Sequence, residues 1–335
     1  MSLFESVATL PVEIETYELE RRELQVRPEF KRVTTTVVLH GRGERGQGED
    51  VTYNAEDHDW FPATLPLAGS WTLGELSRSL DGHELFAGEP TMAASHEYRR
   101  WAFESAALDL ALRQSGRSLA EAVGREARPV RFVVSTRGDA FAWLAAQPSM
   151  ELKLDPEADW ERPLMERLAA TGRVRVLDLK AYYRGTGVDL EPDPKLYSAV
   201  VELFPDAVIE DAWLEGPARQ ALNGAEERLS FDAPVHSLAD LEALPVEARW
   251  LNVKPSRFGT LERLLECIEA CHERGIRMYG GGQFELGPGR PQIQKLASVF
   301  YPDGPNDTAP GVYNESDPQP GLPTSPLPAP TGAGF

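Results

Sequence analysis

The sequence predicts an α/β protein built on a parallel barrel, with an α+β segment ahead of it. Two observations carry this expectation. From Val130 onward, short apolar runs at 130–135, 150–154, 173–179, 207–211, 229–232, 249–254 and 276–280 alternate with helical stretches, the pattern of right-handed βαβ units on a parallel sheet. Five of these runs end in or carry a charge: Lys153, Asp178, Glu210, Asp232 and Lys254. The intervals 210 to 232 and 232 to 254 are both 22 residues, the length of one strand-plus-helix unit. With an eighth strand expected near 302–310, the region holds about eight such units, tighter than the ~250 residues usual for a barrel. An open doubly wound sheet is the alternative, disfavoured because no glycine-rich fingerprint follows the first strand.

Ahead of the barrel, residues 12–60 read as a hairpin region, with alternation from Val12 to Glu20 and a β-branched run from Val33 to Leu39. The glycine-rich stretch 41–49 is expected to be a polar turn. It carries acidic residues and lacks the Gly-Lys-Ser/Thr ending that a phosphate-binding loop requires. Helices are expected at Trp71 to Leu80, Glu97 to Gln114 and Arg117 to Val123, the long one stopping at Ser115-Gly116. Within the barrel, Leu261 to Arg274 is helical. Beyond residue 303 the chain is rich in proline and glycine and reads as irregular or disordered. The expected division is 1–125, 126–303 and a tail 304–335 that packs, if anywhere, on the first segment.

The formal net charge of −19 over 335 residues disfavours nucleic acid and anionic membrane surfaces as partners. A small anionic substrate stays open, because a bound divalent cation reverses a local field. Cys267 and Cys271 lie four apart on one helix and read as small buried apolar residues, since His272 alone does not complete a metal site. No apolar run approaches a membrane span, and the N-terminus lacks the features of a signal peptide, so the cytoplasm is the default location. A homo-oligomer is compatible with the sequence.

Reacting groups in parallel barrels come from strand C-terminal ends. Asp178, Glu210 and Asp232 are therefore expected to converge. Three carboxylates with open positions suit Mg²⁺, with Mn²⁺ as a substitute. A substrate carboxylate would complete the shell, and the cation would stabilise the enediolate left when an α-proton departs. Lys153 and Lys254 would approach the substrate from opposite faces, as bases if their pKa values are lowered.

The motifs resemble the enolase superfamily, in its muconate-lactonizing and o-succinylbenzoate-synthase-like branch. Trp101-Ala-Phe-Glu-Ser-Ala-Ala-Leu-Asp109 resembles the helix joining cap to barrel. Leu251-Asn-Val-Lys-Pro-Ser-Arg-Phe-Gly259 resembles the sixth-strand lysine motif, and Gly280–Arg290 with Leu296-Ala-Ser298 resembles the seventh-strand motif. The resemblance implies a modified TIM barrel, (β/α)7β, under an N-terminal α+β capping domain. It implies Asp178, Glu210 and Asp232 as Mg²⁺ ligands. Lys153 becomes the general base, and Lys254 the opposing base or a cation. A loop near 21–32 would bring Arg27 or Arg32 to the substrate, and Glu285 would stand at the barrel mouth.

The sequence departs from the family pattern at four places. Lys-x-Lys is Glu151-Leu152-Lys153, Asp-x-Asn is Asp178-Leu179-Lys180, Glu-x-Pro is Glu210-Asp211-Ala212, and Asp-Glu is Asp232-Ala233. Because residues two apart share a strand face, Glu151 and Lys180 are expected to pair across neighbouring strands. The lost first lysine argues against a faithful o-succinylbenzoate synthase. His40, His58, His83, His96 and His236 show no metal-ligand spacing. Trp60, Phe61, Tyr182 and Tyr183 read as packing residues, one tyrosine being a candidate for the pocket, and Asp303 and Asp307 as weak eighth-strand candidates. The expected activity is α-proton abstraction from a small-molecule carboxylate, ending in β-elimination (lyase) or in racemisation or cycloisomerisation (isomerase). The alternative is a ligand-binding protein with altered or lost catalysis.

Overall fold

The computed structural model describes residues 2–27, 30–186, 188–314 and 317–335; the side chain of Arg27 lies outside the described residues. The first part opens on helix α1 (Leu3–Ala8), then strands β1 (Pro11–Ile14), β2 (Thr16–Arg27), β3 (Phe30–Gly41), β4 (Glu44–Asp50) and β5 (Gly69–Thr72). Strands β2, β3 and β4 form an antiparallel sheet, and β1 pairs with β5. Helix α2 (Leu73–Leu80) follows, started by a capping box between Thr72 and Glu75. The long helix α3 (Ser95–Gln114) contains no glycine or proline and is buried on nearly all faces from Tyr98 to Leu112.

The glycine-rich stretch is not a turn throughout. The chain reverses at Arg42 and Gly43, both at positive φ, and then continues as β4. The glycines of that strand serve close packing: a Cβ on Gly48 would lie 2.0 Å from Ala102 O, and one on Gly46 2.4 Å from Ala106 O. Their bare backbone lets α3 lie directly on the sheet.

The second part is a seven-stranded parallel sheet in sequential order: β6 (Val134–Thr136), β7 (Leu152–Leu154), β8 (Val174–Asp178), β9 (Val208–Glu210), β10 (Leu229–Phe231), β11 (Trp250–Val253) and β12 (Arg277–Gly280). Each expected strand is present, one or more residues shorter than its apolar run. The eighth position is filled by single bridges, Phe132 with Asn306 and Gly281 with Asp307. Pro302 and Pro305 cannot donate to a ladder. The Asn306 side chain supplies bonds instead: its Oδ1 accepts from Gly280 N at 2.6 Å and its Nδ2 donates to Arg131 O at 2.8 Å. The molecule is thus a capped, modified (β/α)7β barrel.

The described residues of the tail make specific contacts with the rest of the chain. Leu327 bridges to Val130, and Tyr313 packs on Phe132 and Trp143. Phe335 is buried edge-on against Trp101 of α3, its N–H donating to Asp109 Oδ1 at 2.7 Å. Among the described residues, no helix is long and apolar enough to cross a membrane.

Candidate active site

The strand ends bring the predicted charges together. Asp178 closes β8 and Glu210 closes β9, and the parallel register sets these two residues side by side. Asp232 directly follows β10. All three carboxylates are fully excluded from solvent, with one oxygen of each within 4.8 Å of the others. Lys153 comes from β7 on one flank and Lys254 follows β11 on the other. Lys153 Nζ lies 2.6 Å from Glu210 Oε1 and 3.2 Å from Asp178 Oδ2, and Lys254 Nζ lies 2.8 Å from Asp232 Oδ2.

Charge balance sets the protonation of this cluster. Burial works against ionisation of Asp178, but the ammonium groups of Lys180 and Lys153 hold its pKa well below the usual carboxylate range. Asp232 is likewise held low against burial, by Arg257 and Lys254. Glu210 moves the other way, raised by burial and then by the charge of Asp178. Burial alone would lower Lys153, yet Glu210 and Asp178 raise it well above the ordinary lysine value. Asp211 is pushed up to about 7 by burial and the neighbouring Asp232 and Asp178. The donors fit a hard divalent cation: three clustered carboxylates, with Asp232 Oδ1 making no hydrogen bond.

The expected Glu151–Lys180 pair does not form. Glu151, directly before β7, accepts from Arg131 Nε and Arg175 Nε, both at 2.6 Å. The register between β7 and β8 shifts by a residue there, passing over Arg175 and leaving it beside Glu151. Lys180 has left the strand: its φ of 53° folds the side chain back onto Asp178 Oδ2, with Asp155 Oδ2 3.7 Å away. The two-apart rule fails because extended geometry ends at Asp178.

A different exchange is visible between the fourth and fifth strands. Ala233 stands where the family pattern has an acid, and Asp211 supplies one from the neighbouring strand. Asp211, at φ 50°, accepts from Asp232 N at 2.8 Å and Ala233 N at 2.9 Å.

Arg32 is not free for a substrate. Fully buried, it donates to the carbonyls of Val51, Thr52, Gln283 and Phe284, and so ties the cap to the loop after β12. Glu285 accepts from Gln283 N at 2.6 Å and faces Arg290 at 3.2 Å. It lines a cleft of about 570 Å³ between β2, this loop and the tail. The cleft does not contain the acidic cluster, but Gly281 packs on Lys254 and Gly282 on Glu285, so the loop joins the two places. Asp307 lies 3.8 Å from Lys153 Nζ, whereas Asp303 pairs with exposed Arg128. No histidine joins the acidic group among the described residues.

The structure brings in Tyr183, of the tyrosine pair that held the pocket candidate, and three residues that sequence reasoning missed. Tyr183 donates to Asp232 Oδ2 at 3.0 Å, while Tyr182 packs on Trp213. Arg257 donates to Tyr183 Oη at 2.8 Å and pairs with Asp232 at 3.2 Å. Tyr279 donates to Glu210 Oε2, and Asn252 Nδ2 donates to Glu210 Oε1 at 3.2 Å. Arg257 lies three residues past Lys254 inside a motif already singled out, which was the available signal. Asn252 lies in the same motif, whereas Tyr279 carries no signal beyond strand position.

The fold and the buried acidic cluster define the class of molecule: a capped, modified (β/α)7β barrel with three carboxylates at its strand ends, a fold it shares with the following solved structures. An enolase-superfamily protein from Listeria innocua aligns with TM-score 0.62 at 18% identity, over 90% of this chain and 86% of its own. A dipeptide epimerase from Methylococcus capsulatus, complexed with a magnesium ion, aligns at 0.64 and 16%, over 91% and 92%. A muconate lactonizing enzyme from Klebsiella pneumoniae aligns at 0.64 and 16%, over 96% and 95%. No curated protein matches by sequence. The chain belongs to the DUF8230 family, matching its models described as domain of unknown function (DUF8230), N-terminal domain, over 5–122, and C-terminal domain, over 126–315.

Proposed function

We propose that this protein abstracts a proton α to the carboxylate of a small molecule, with a divalent cation, Mg²⁺ by preference and Mn²⁺ as substitute, held by Asp178, Glu210 and Asp232. The carrying observation is the buried triad on three successive strands, flanked by a lysine on each side. A bound cation would supply the positive charge that acidifies the α-C–H and steadies the resulting anion. Lys153 and Lys254 then act from opposite sides. Each is paired with a carboxylate of the triad, and a cation on those carboxylates would weaken the hold on Lys153 that raises its pKa, freeing it as a base. Arg257 and Tyr183 position the Asp232 carboxylate. Burial of the whole cluster excludes water and strengthens every charge interaction within it.

An isomerase outcome, by proton return on either face or by cycloisomerisation, is favoured over β-elimination. A lysine on each flank suits it, and structural neighbours include a dipeptide epimerase and muconate lactonizing enzymes. Elimination of the o-succinylbenzoate-synthase type stays as the second reading through the seventh-strand motif.

The test is a thermal melt with Mg²⁺ or Mn²⁺. Stabilisation of the wild type that disappears in Asp232→Asn supports the reading. No stabilisation of the wild type would favour the ligand-binding alternative, a barrel without catalysis.

A further inference from the structure

Lys180 occupies a position that decides how the acidic cluster meets a cation. It sits two residues past Asp178, and its backbone is fixed from several sides. Its own N–H donates to Asp178 Oδ1 at 3.2 Å, and the flanking residues Leu179 and Ala181 donate to Glu210 O and Asp211 O at 2.8 and 3.0 Å. With the backbone held at positive φ, the side chain lies along Asp178, its ammonium on the Oδ2 atom. That carboxylate belongs to the triad. A resident ammonium therefore occupies one of the two oxygens that Asp178 could offer a cation.

A second acid waits beside it. Asp155 follows β7, and its Oδ2 lies 3.7 Å from Lys180 Nζ. This oxygen is also paired with Arg137, at 2.8 Å. Its other oxygen, Oδ1, is buried and accepts no hydrogen bond. A buried carboxylate oxygen without a donor is costly, and one beside a displaceable ammonium has an evident donor. A cleft of about 140 Å³ opens at Asp155, between Thr136, Arg137 and Trp160, and gives room for the movement.

We propose that Lys180 is a built-in competitor of the divalent cation, and that Asp155 is the acceptor to which its ammonium moves when a cation takes Asp178. This rests on the metal reading given above. Its consequence is a site whose carboxylates are held by ammonium groups without metal, and whose affinity is set by the exchange of one cation for another. Lys153, also on Asp178, has Asp307 at a similar 3.8 Å but is held at 2.6 Å by Glu210, and Arg257 is tied to Tyr183 and Ala233. Lys180 is the cation beside a buried carboxylate oxygen that has no donor.

The test is calorimetric titration of the full chain with MnCl₂, without substrate, on Lys180→Gln, Asp155→Asn and the double variant. Removing a unit charge about 4 Å from the cation should tighten Mn²⁺ binding at least about tenfold in Lys180→Gln. Asp155→Asn, which keeps Lys180, should weaken it, and that weakening should vanish in the Lys180→Gln background. Equal affinity in Lys180→Gln and wild type overturns the competitor role. A weakening by Asp155→Asn that persists without Lys180 overturns the acceptor role. Were Lys180→Gln to misfold, an unchanged affinity in Asp155→Asn would overturn the exchange by itself. Absence of Mn²⁺ binding in the wild type and every folded variant removes both this proposal and the metal reading.

Discussion

Lys153 Nζ lies 2.6 Å from Glu210 Oε1 in a space closed to solvent, so the proposed base on β7 and a proposed cation ligand on β9 share one charge. Replacing the lysine leaves Glu210 without its ammonium partner and Asp178 with Lys180 alone. Lys153→Met should lower stability by roughly 3–5 kcal/mol in a chelator, by chemical denaturation. Added Mg²⁺ should restore much of this loss, because the cation supplies the missing charge. Failure of Mg²⁺ to restore any stability would count against the triad as its site.

Arg32 joins cap and barrel through four carbonyls. Arg32→Met should cost at least about 3 kcal/mol, since several charged-donor hydrogen bonds vanish and their buried acceptors are stranded. Limited proteolysis should then cut the loop at 283–288 first. A variant as stable as wild type, with an unchanged cleavage pattern, would refute the role of Arg32 as a tie.

Gly48 should tolerate no side chain. A methyl there meets Ala102 O and Ser105 Oγ at 2.0 and 2.3 Å, so Gly48→Ala must push α3 off the sheet. The expected loss is about 1–3 kcal/mol or more, read as a lowered melting temperature. Gly43→Ala, where a Cβ meets nothing within 4 Å but φ is 75°, should suffer backbone strain alone and lose less.

His58 should make the cap acid-sensitive. Its ring is buried, bonded to Thr35 Oγ1 at 2.9 Å and to Thr52 O at 3.0 Å. Burial lowers its pKa below the ordinary 6.5, against the pull of Asp50. The unfolded chain therefore takes up a proton near 6.5 that the folded chain refuses until a lower pH. Stability from this residue is full above 6.5 and falls as pH drops toward the folded value, by at most about 1.4 kcal/mol per unit. His272, lowered by burial and Arg125, acts in the same direction. The measurement is urea unfolding at pH 7.5, 6 and 5, in wild type and His58→Asn. An identical pH slope in both would exclude His58 as a source.

The barrel was legible because its signals are local. Val174 to Asp178 and Val208 to Glu210 show their strands by apolar content, and the 22-residue spacing shows the unit. The cap was half legible. Gly46 and Gly48 look like turn residues until α3 is placed against them. The acidic centre was found through its strand-end charges. Of its surroundings, only one of Tyr182 and Tyr183 was a candidate; Arg257, Tyr279 and Asn252 were not, since nothing in their neighbouring residues distinguishes a side chain aimed at Glu210 or Asp232 from one that packs.

The pairing of Glu151 with Lys180 shows where sequence reasoning stops. It assumed extended backbone at both positions. A register shift at Arg175 and a left-handed residue at Lys180 sent the two charges to different partners, Arg131 and Arg175 for one, Asp178 and Asp155 for the other. The same left-handed turn at Asp211 placed an acid beneath Ala233.

By itself, the sequence determined the repeating strand-helix units, the charges at five strand ends and thus the convergence of Asp178, Glu210 and Asp232. Periodicity and strand direction follow from residues near one another in the chain. Only the tertiary structure decided which cation neutralises which carboxylate, that Arg32 braces rather than binds, and that Asn306 closes the barrel. Those outcomes depend on bulges, positive-φ residues and loop packing, which bring together groups separated by up to 252 residues, as between Arg32 and Phe284.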